Sequence, residues 1–126
     1  MKPETAEWIE KAEGDWRVLR REVQAVDPVW NVVCYLAQQC AEKYLKAYSE
    51  EQGLPYGKIH DLVVLCGSTE GLLPELEGKR DALARPTAFG VAARYPGLQA
   101  DASAAKDATG TAEIVRGAVR ARLGCN

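Results

Sequence analysis

Histidine, methionine and phenylalanine are scarce in this sequence, which has one residue of each among 126. The four cysteines form no Cys-x-x-Cys pair, and with one histidine in the whole chain a four-ligand zinc site is hard to assemble. The sequence therefore predicts no metal centre. Cys34 and Cys40 lie six residues apart in a predicted helix, about 240° around its axis, so they cannot bridge each other. We expect these two, with Cys66 and Cys125, to be buried reduced thiols.

Long hydrophobic runs are also missing. The longest apolar stretch, from Val29 to Ala37, is interrupted by Asn31 and is far shorter than the ~20 apolar residues of a membrane span. The polar start of the sequence lacks the basic and apolar regions of a signal peptide. We expect a cytoplasmic protein without a membrane segment.

Neither sign of charge is in large excess. Sixteen lysines and arginines stand against eighteen aspartates and glutamates, for a net charge of -2. This balance argues against a strongly basic nucleic-acid-binding surface, although a local patch remains open. Arg116, Arg120 and Arg122 could contact RNA phosphates, or could simply complement the negative end of a helix. The length fits one domain, residues 1–126.

Apolar residues recur at helical spacing, and no segment alternates with a period of two. The fold class predicted is all-α, an antiparallel up-and-down helical bundle of four main helices plus a short helix. Asp27 and Pro28 are expected to be the N-cap and first residue of the second helix. The predicted main helices are Pro3–Gln24, Pro28–Gln52, Pro74–Ala84 and Asp101–Leu123, and the short helix follows Asp61.

Three groups of polar residues are candidates for a functional site. His60, next to Asp61, is the default general acid or base, but either residue could instead cap the short helix. Arg94 and Tyr95 could hold a phosphate or carboxylate, or could pair and pack within the bundle. A stripe on the second helix could bind a ligand or partner, or could be a solvated face. That stripe comprises Gln38, Gln39, Glu42, Lys43 and Lys46.

The order of these landmarks carries a family likeness. A helix bearing Trp8 precedes the segment Ala37–Ala47, which reads AQQCAEKYLKA. The segments Lys58–Leu62 (KIHDL) and Ala93–Pro96 (ARYP) follow, and then an alanine-rich helix. This combination resembles the HEPN family (higher eukaryotes and prokaryotes nucleotide-binding domain) over nearly the whole chain.

The resemblance implies a helical bundle, commonly a homodimer, in a prokaryotic protein often encoded beside a minimal nucleotidyltransferase. Many such proteins act in toxin-antitoxin or defence systems. The catalytically active members of the family that this sequence resembles are metal-independent ribonucleases. They use an arginine followed four to six residues later by a histidine, placed at the dimer interface. Here no arginine lies four to seven residues before His60, so the ribonuclease motif is absent.

The main hypothesis is a noncatalytic HEPN-like module that partners a small nucleotidyltransferase and needs no cofactor. It would either bind a nucleotide or be modified by that partner, with Tyr95 or another exposed tyrosine as the acceptor. Its ligand or partner site would contain Gln38, Gln39, Glu42, Lys43, Lys46, His60, Asp61, Arg94 and Tyr95. One alternative is a dimeric, metal-independent ribonuclease that uses His60 and Arg94 as catalytic residues. The other is a noncatalytic scaffold.

Overall fold

The computed structural model describes residues 1–69, 73–79, 81–84, 97 and 99–125. Within these residues the chain forms helices and no strand, which confirms the all-α prediction. The long helices are α1 (Pro3–Val23), α2 (Trp30–Gln52) and α4 (Ala102–Leu123). The short ones are α3 (Leu62–Ser68) and a 3-10 helix (Pro74–Leu76), and residues 81–84 are also helical.

Helix α2 is the central element, with α1 and α4 packed against it and α3 contacting it near its polar face. It is buried around most of its circumference, because apolar residues occur on most of its faces. Ala37, Cys40 and Ala41 are fully buried and let neighbouring helices approach closely, whereas Tyr44 and Leu45 fill the space between them. The helix is therefore contacted on several sides.

The start of α2 differs from the prediction. Val29, not Asp27, is the N-cap residue, and no side chain caps the helix there. Pro28 lies before the helix instead of in its first turn. The carboxylate of Glu22, at the end of α1, accepts a hydrogen bond from the Val29 amide at 2.9 Å. The turn is thus held by a side chain from the preceding helix, a contact that local spacing does not encode.

The C-terminal end of α2 and the limits of α4 agree with the sequence. Gly53 and Gly124 each follow a helix with φ of 72°, in the left-handed region that glycine adopts without a Cβ penalty. The Asp101 side chain accepts a hydrogen bond from the Ala104 amide at 2.8 Å and so caps α4. Nearby, the Asn31 side chain accepts from the Ala100 amide at 2.7 Å, which ties the start of α4 to α2.

The predicted helix from Pro74 to Ala84 is wrong as one continuous element. The 3-10 helix Pro74–Leu76 ends in a turn at Glu77 and Gly78, where Gly78 has φ of 75°, and helical backbone resumes at 81–84. A left-handed residue cannot continue a right-handed helix, so the segment breaks there. No described helix is long and apolar enough to cross a membrane.

We predict that Asp101→Ala lowers the free energy of unfolding by about 1 kcal/mol, because α4 loses its N-cap hydrogen bond. Urea denaturation followed by circular dichroism measures the change. Asp27→Ala is the matched control, since this aspartate was predicted to cap α2 and its side chain does not do so. Equal losses in the two variants would contradict the assignment of the caps.

Candidate functional site

Gln38, Glu42 and Lys46 lie four residues apart on α2 and therefore share one face of the helix. That face was predicted, as one alternative, to be solvated. It is not, because the three residues are 4%, 3% and 3% exposed. Burying a carboxylate and an ammonium group requires that they be paired and hydrogen-bonded. The polar face is consequently a buried cluster.

The Glu42 carboxylate is the centre of this cluster. Its Oε2 lies 3.3 Å from Lys46 Nζ and 3.1 Å from His60 Nδ1. Its Oε1 accepts a hydrogen bond from Gln38 Nε2 at 3.1 Å. Three groups from α2 and from the loop before α3 thus satisfy one buried carboxylate. We call Gln38, Glu42, Lys46 and His60 the Glu42 cluster.

His60 joins the Glu42 cluster through its backbone as well as its ring. Gln38 Nε2 donates to the His60 carbonyl at 2.9 Å, so the loop is fixed to α2. The side chain is 71% exposed although Nδ1 contacts the buried carboxylate. A carboxylate at one ring nitrogen sets the orientation and the tautomer of a histidine. The ring is therefore both positioned and accessible.

Asp61 has a structural task instead. Its carboxylate accepts hydrogen bonds from the amides of Val63 at 2.8 Å and Val64 at 3.3 Å, which makes it the N-cap of α3. Of the two roles left open for the pair, Asp61 takes the cap, and His60 remains available for chemistry.

Two aromatic residues that the sequence did not single out for the site border the Glu42 cluster. Lys46 Nζ lies 5.4 Å from the centre of the Trp8 ring, a cation-π contact. Trp8 Nε1 donates to the Tyr56 hydroxyl at 3.1 Å, and the two rings meet edge to face. With Glu4, Glu7 and Lys11 they line a cavity of about 180 Å³. The helical spacing of Trp8 in the sequence carries no sign of this cavity.

The other predicted site residues are not all brought together. Gln39 donates to the Gln38 side chain at 2.9 Å and so adjoins the Glu42 cluster. Lys43 instead pairs with Asp15 of α1 at 2.7 Å. Arg94 and Tyr95 lie outside the described residues.

A second polar network links α1, α2 and α4, and it was missed by the sequence analysis. Arg116 donates to both carboxylate oxygens of Glu13, each at 2.8 Å. The buried Tyr44 hydroxyl donates to Glu13 at 2.5 Å and accepts from Arg120 at 3.2 Å. Arg116 also stacks on Trp16, with its guanidinium carbon 5.1 Å from the ring centre. The network holds the two outer helices together across α2.

Electrostatics within this network favour the charged pair. Hydrogen bonding to Arg116 lowers the pKa of Glu13, and the same bond raises the pKa of Arg116. Burial raises the pKa of Tyr44, so its hydroxyl stays neutral. Arg116 and Arg120 are engaged with Glu13, and Arg122 pairs with Glu75 at 3.1 Å. These ion pairs give the three arginines structural partners in addition to the helix terminus considered above.

The cysteines offer no reactive thiolate in the core. Burial raises the pKa of Cys34 to about 11 and raises that of Cys40 as well. Both are fully buried, as predicted, whereas Cys66 and Cys125 are half-buried, and all four are free thiols. Within the residues described, no three His, Cys, Asp or Glu side chains are grouped so that they could hold a metal ion.

The family model of the HEPN domain matches residues 5–122. The chain belongs to the HEPN family. No curated protein matches it, and no solved structure does. Membership of the HEPN family supports a helical module of the nucleotide-binding or ribonuclease type.

We predict that Glu13→Gln lowers the free energy of unfolding by about 2 kcal/mol at neutral pH, because charge-assisted hydrogen bonds from Arg116 are lost. Since the folded-state pKa of Glu13 lies below its ordinary value of 4.5, this stabilisation is present above that value. It disappears as the pH falls through the lowered pKa. Urea denaturation at neutral and at acidic pH measures the free energy of unfolding of the variant and of the parent. The difference between the two should be smaller at acidic pH.

The matched control is Glu75→Gln. Glu75 and Arg122 form an exposed pair, 43% and 41% exposed, where water screens the interaction. The free energy of unfolding of this variant should differ much less from that of the parent at every pH. A Glu13→Gln effect that did not change with pH would show that the charge of Glu13 is not what stabilises the network.

Proposed function

We propose that this HEPN chain is a noncatalytic binding module that acts with a small nucleotidyltransferase in a toxin-antitoxin or defence system. Its ligand would be a nucleotide, taken up beside the Glu42 cluster. The observation that carries the proposal is the placement of His60, held by the buried Glu42 carboxylate and 71% exposed. A series of side-chain contacts runs from His60 through the Glu42 cluster to Trp8, and there lies the cavity bordered by Trp8 and Tyr56.

Charge supports a binding role for the Glu42 cluster. Glu42 and Lys46 form a buried ion pair, so a ligand that binds at the surface meets no unpaired charge from either residue. His60 is the accessible polar group, and its ring can donate or accept a hydrogen bond. The Trp8 and Tyr56 rings supply apolar surface of the kind on which a base stacks. Lys11, in the lining of the cavity, offers a cation for a phosphate.

Sequence supports binding over RNA cleavage. Leu54, Pro55 and Tyr56 occupy the positions four to six residues before His60, where the active members have an arginine, and Gly53 precedes them. A histidine alone can move a proton, but phosphoryl transfer also needs a cation placed on the developing negative charge. Because no arginine lies at the motif's spacing before His60, this histidine fits a role in ligand recognition better than one in catalysis.

We predict that the tagged protein, purified from its native host, brings down a small nucleotidyltransferase in near-stoichiometric amount. Mass spectrometry of the copurifying proteins identifies it, and a strain lacking the tag controls for adventitious binding. Recovery of the chain by itself would contradict the partnership. It would leave nucleotide binding to be decided by the next experiment.

Nucleotide binding is tested by calorimetric titration of the purified chain with ATP. We expect Trp8→Ala to weaken binding about tenfold, because base-aromatic stacking contributes ~1–3 kcal/mol. His60→Ala should weaken it as well. Lys43→Ala is the matched control, since Lys43 lies on α2 but pairs with Asp15 away from the Glu42 cluster. Equal affinity of parent and Trp8→Ala would contradict a site in this cavity.

The His60→Ala variant also tests the ribonuclease alternative. The contact of Glu42 with His60 Nδ1 is one that also suits a general base. If the chain cleaves RNA without metal, His60→Ala should lower the rate by ~10²–10⁴. Cleavage unchanged by this substitution would come from a contaminating nuclease.

A further inference from the structure

The cavity beside the Glu42 cluster has two aromatic walls that are nearly perpendicular to each other. The Trp8 and Tyr56 rings meet at 84°, with their centres 5.8 Å apart. The hydrogen bond from Trp8 Nε1 to the Tyr56 hydroxyl and the cation-π contact of Lys46 with Trp8 hold these rings. A flat ligand therefore meets an aromatic surface that is already positioned.

Three charged side chains of α1 complete the lining of this cavity. Glu4, Glu7 and Lys11 follow one another at spacings of three and four residues, so they lie with Trp8 on one face of the helix. All three are exposed, and among the described residues none of them forms an ion pair. Their hydrogen-bonding groups are thus available to a molecule in the cavity.

The two carboxylates restrict which base edge can face α1. An ionised glutamate accepts hydrogen bonds and donates none. Uracil has one N–H donor between two carbonyl oxygens, and adenine and cytosine each have an amino group beside a ring nitrogen that is itself an acceptor. These acceptors would repel a carboxylate. Guanine is the base with two adjacent donors, N1–H and the N2 amino group, and so matches carboxylate oxygens best.

Lys11 strengthens the match with guanine. It lies one turn after Glu7 and can donate to O6, the carbonyl oxygen next to N1. Adenine has an amino group at that position, which a lysine cannot hydrogen-bond as a donor. The sugar is attached to the other ring of the base, so the phosphates extend away from the two carboxylates. One cation and two anions on α1 thus complement one acceptor and two donors on guanine.

We propose that the nucleotide taken up in this cavity is a guanine nucleotide, stacked on Trp8, whose N1–H and N2 amino group donate to Glu4 and Glu7. This inference rests on the nucleotide binding proposed above and adds the identity of the base to it. Stacking tolerates any base, because every base has a π-face. The selectivity must therefore come from the charged residues of α1.

The test is calorimetric titration of the purified full chain with GTP, ATP and inosine triphosphate, which differ only in the base. GTP should bind at least about tenfold more tightly than ATP, because adenine cannot form the charge-assisted hydrogen bonds. Inosine triphosphate keeps N1–H and O6 but lacks the N2 amino group. Its affinity should lie between those of GTP and ATP.

Glu7→Gln should reduce the ratio of GTP affinity to ATP affinity several-fold, because one carboxylate acceptor becomes an amide donor. The ratio is the informative quantity, since removing a negative charge strengthens the binding of every triphosphate alike. Glu10→Gln is the matched control, with the same charge change at an exposed position of α1 outside the cavity lining. It should keep the parent's ratio. Trp8→Ala should weaken GTP and ATP binding by the same factor.

The outcomes distinguish this inference from the proposed function. Equal affinities of the parent chain for GTP and ATP would overturn the guanine preference and leave nucleotide binding supported. A preference for GTP that persists unchanged in both Glu4→Gln and Glu7→Gln would overturn the assignment of the base edge to these carboxylates. If none of the three triphosphates bound, the proposed nucleotide binding would fail, and the inference with it.

Discussion

The burial of Glu42 is the constraint around which the candidate site is arranged. A carboxylate 3% exposed in the middle of a helix costs several kcal/mol in lost hydration unless its oxygens are paired. Gln38 and Lys46 come from the same helix, but His60 comes from the following loop. Satisfying Glu42 thus also fixes that loop against α2. The exposed histidine is held in position by a group that solvent does not reach.

Helical geometry explains why α2 supports two separate polar networks. Glu42 and Tyr44 are two residues apart, about 200° around the helix axis, so they face different neighbours. Glu42 meets the loop before α3, whereas Tyr44 meets Glu13 of α1 and Arg120 of α4. Each network links α2 to elements remote in sequence. The central helix therefore determines the positions of its neighbours through polar contacts as well as apolar packing.

Much of the fold could be predicted from periodicity and from glycines. The predicted limits of α4, Asp101–Leu123, agree with the structure, because the caps Asp101 and Gly124 act within one turn of the helix ends. The start of α2 could not be predicted in the same way, because Glu22 of α1 takes the place of a local cap. The break near Gly78 also escaped, since a glycine inside a helical pattern does not reveal its φ.

The candidate site could likewise be predicted only where it depends on local spacing in the sequence. Gln38, Glu42 and Lys46 could be grouped because their spacing is helical, and His60 was prominent as the only histidine. That they share one cluster could not be predicted, because the contact joins residues 18 positions apart. Arg116 and Glu13 are 103 positions apart, and no local pattern in the sequence records their pairing. Contacts that cross the bundle depend on how the helices pack.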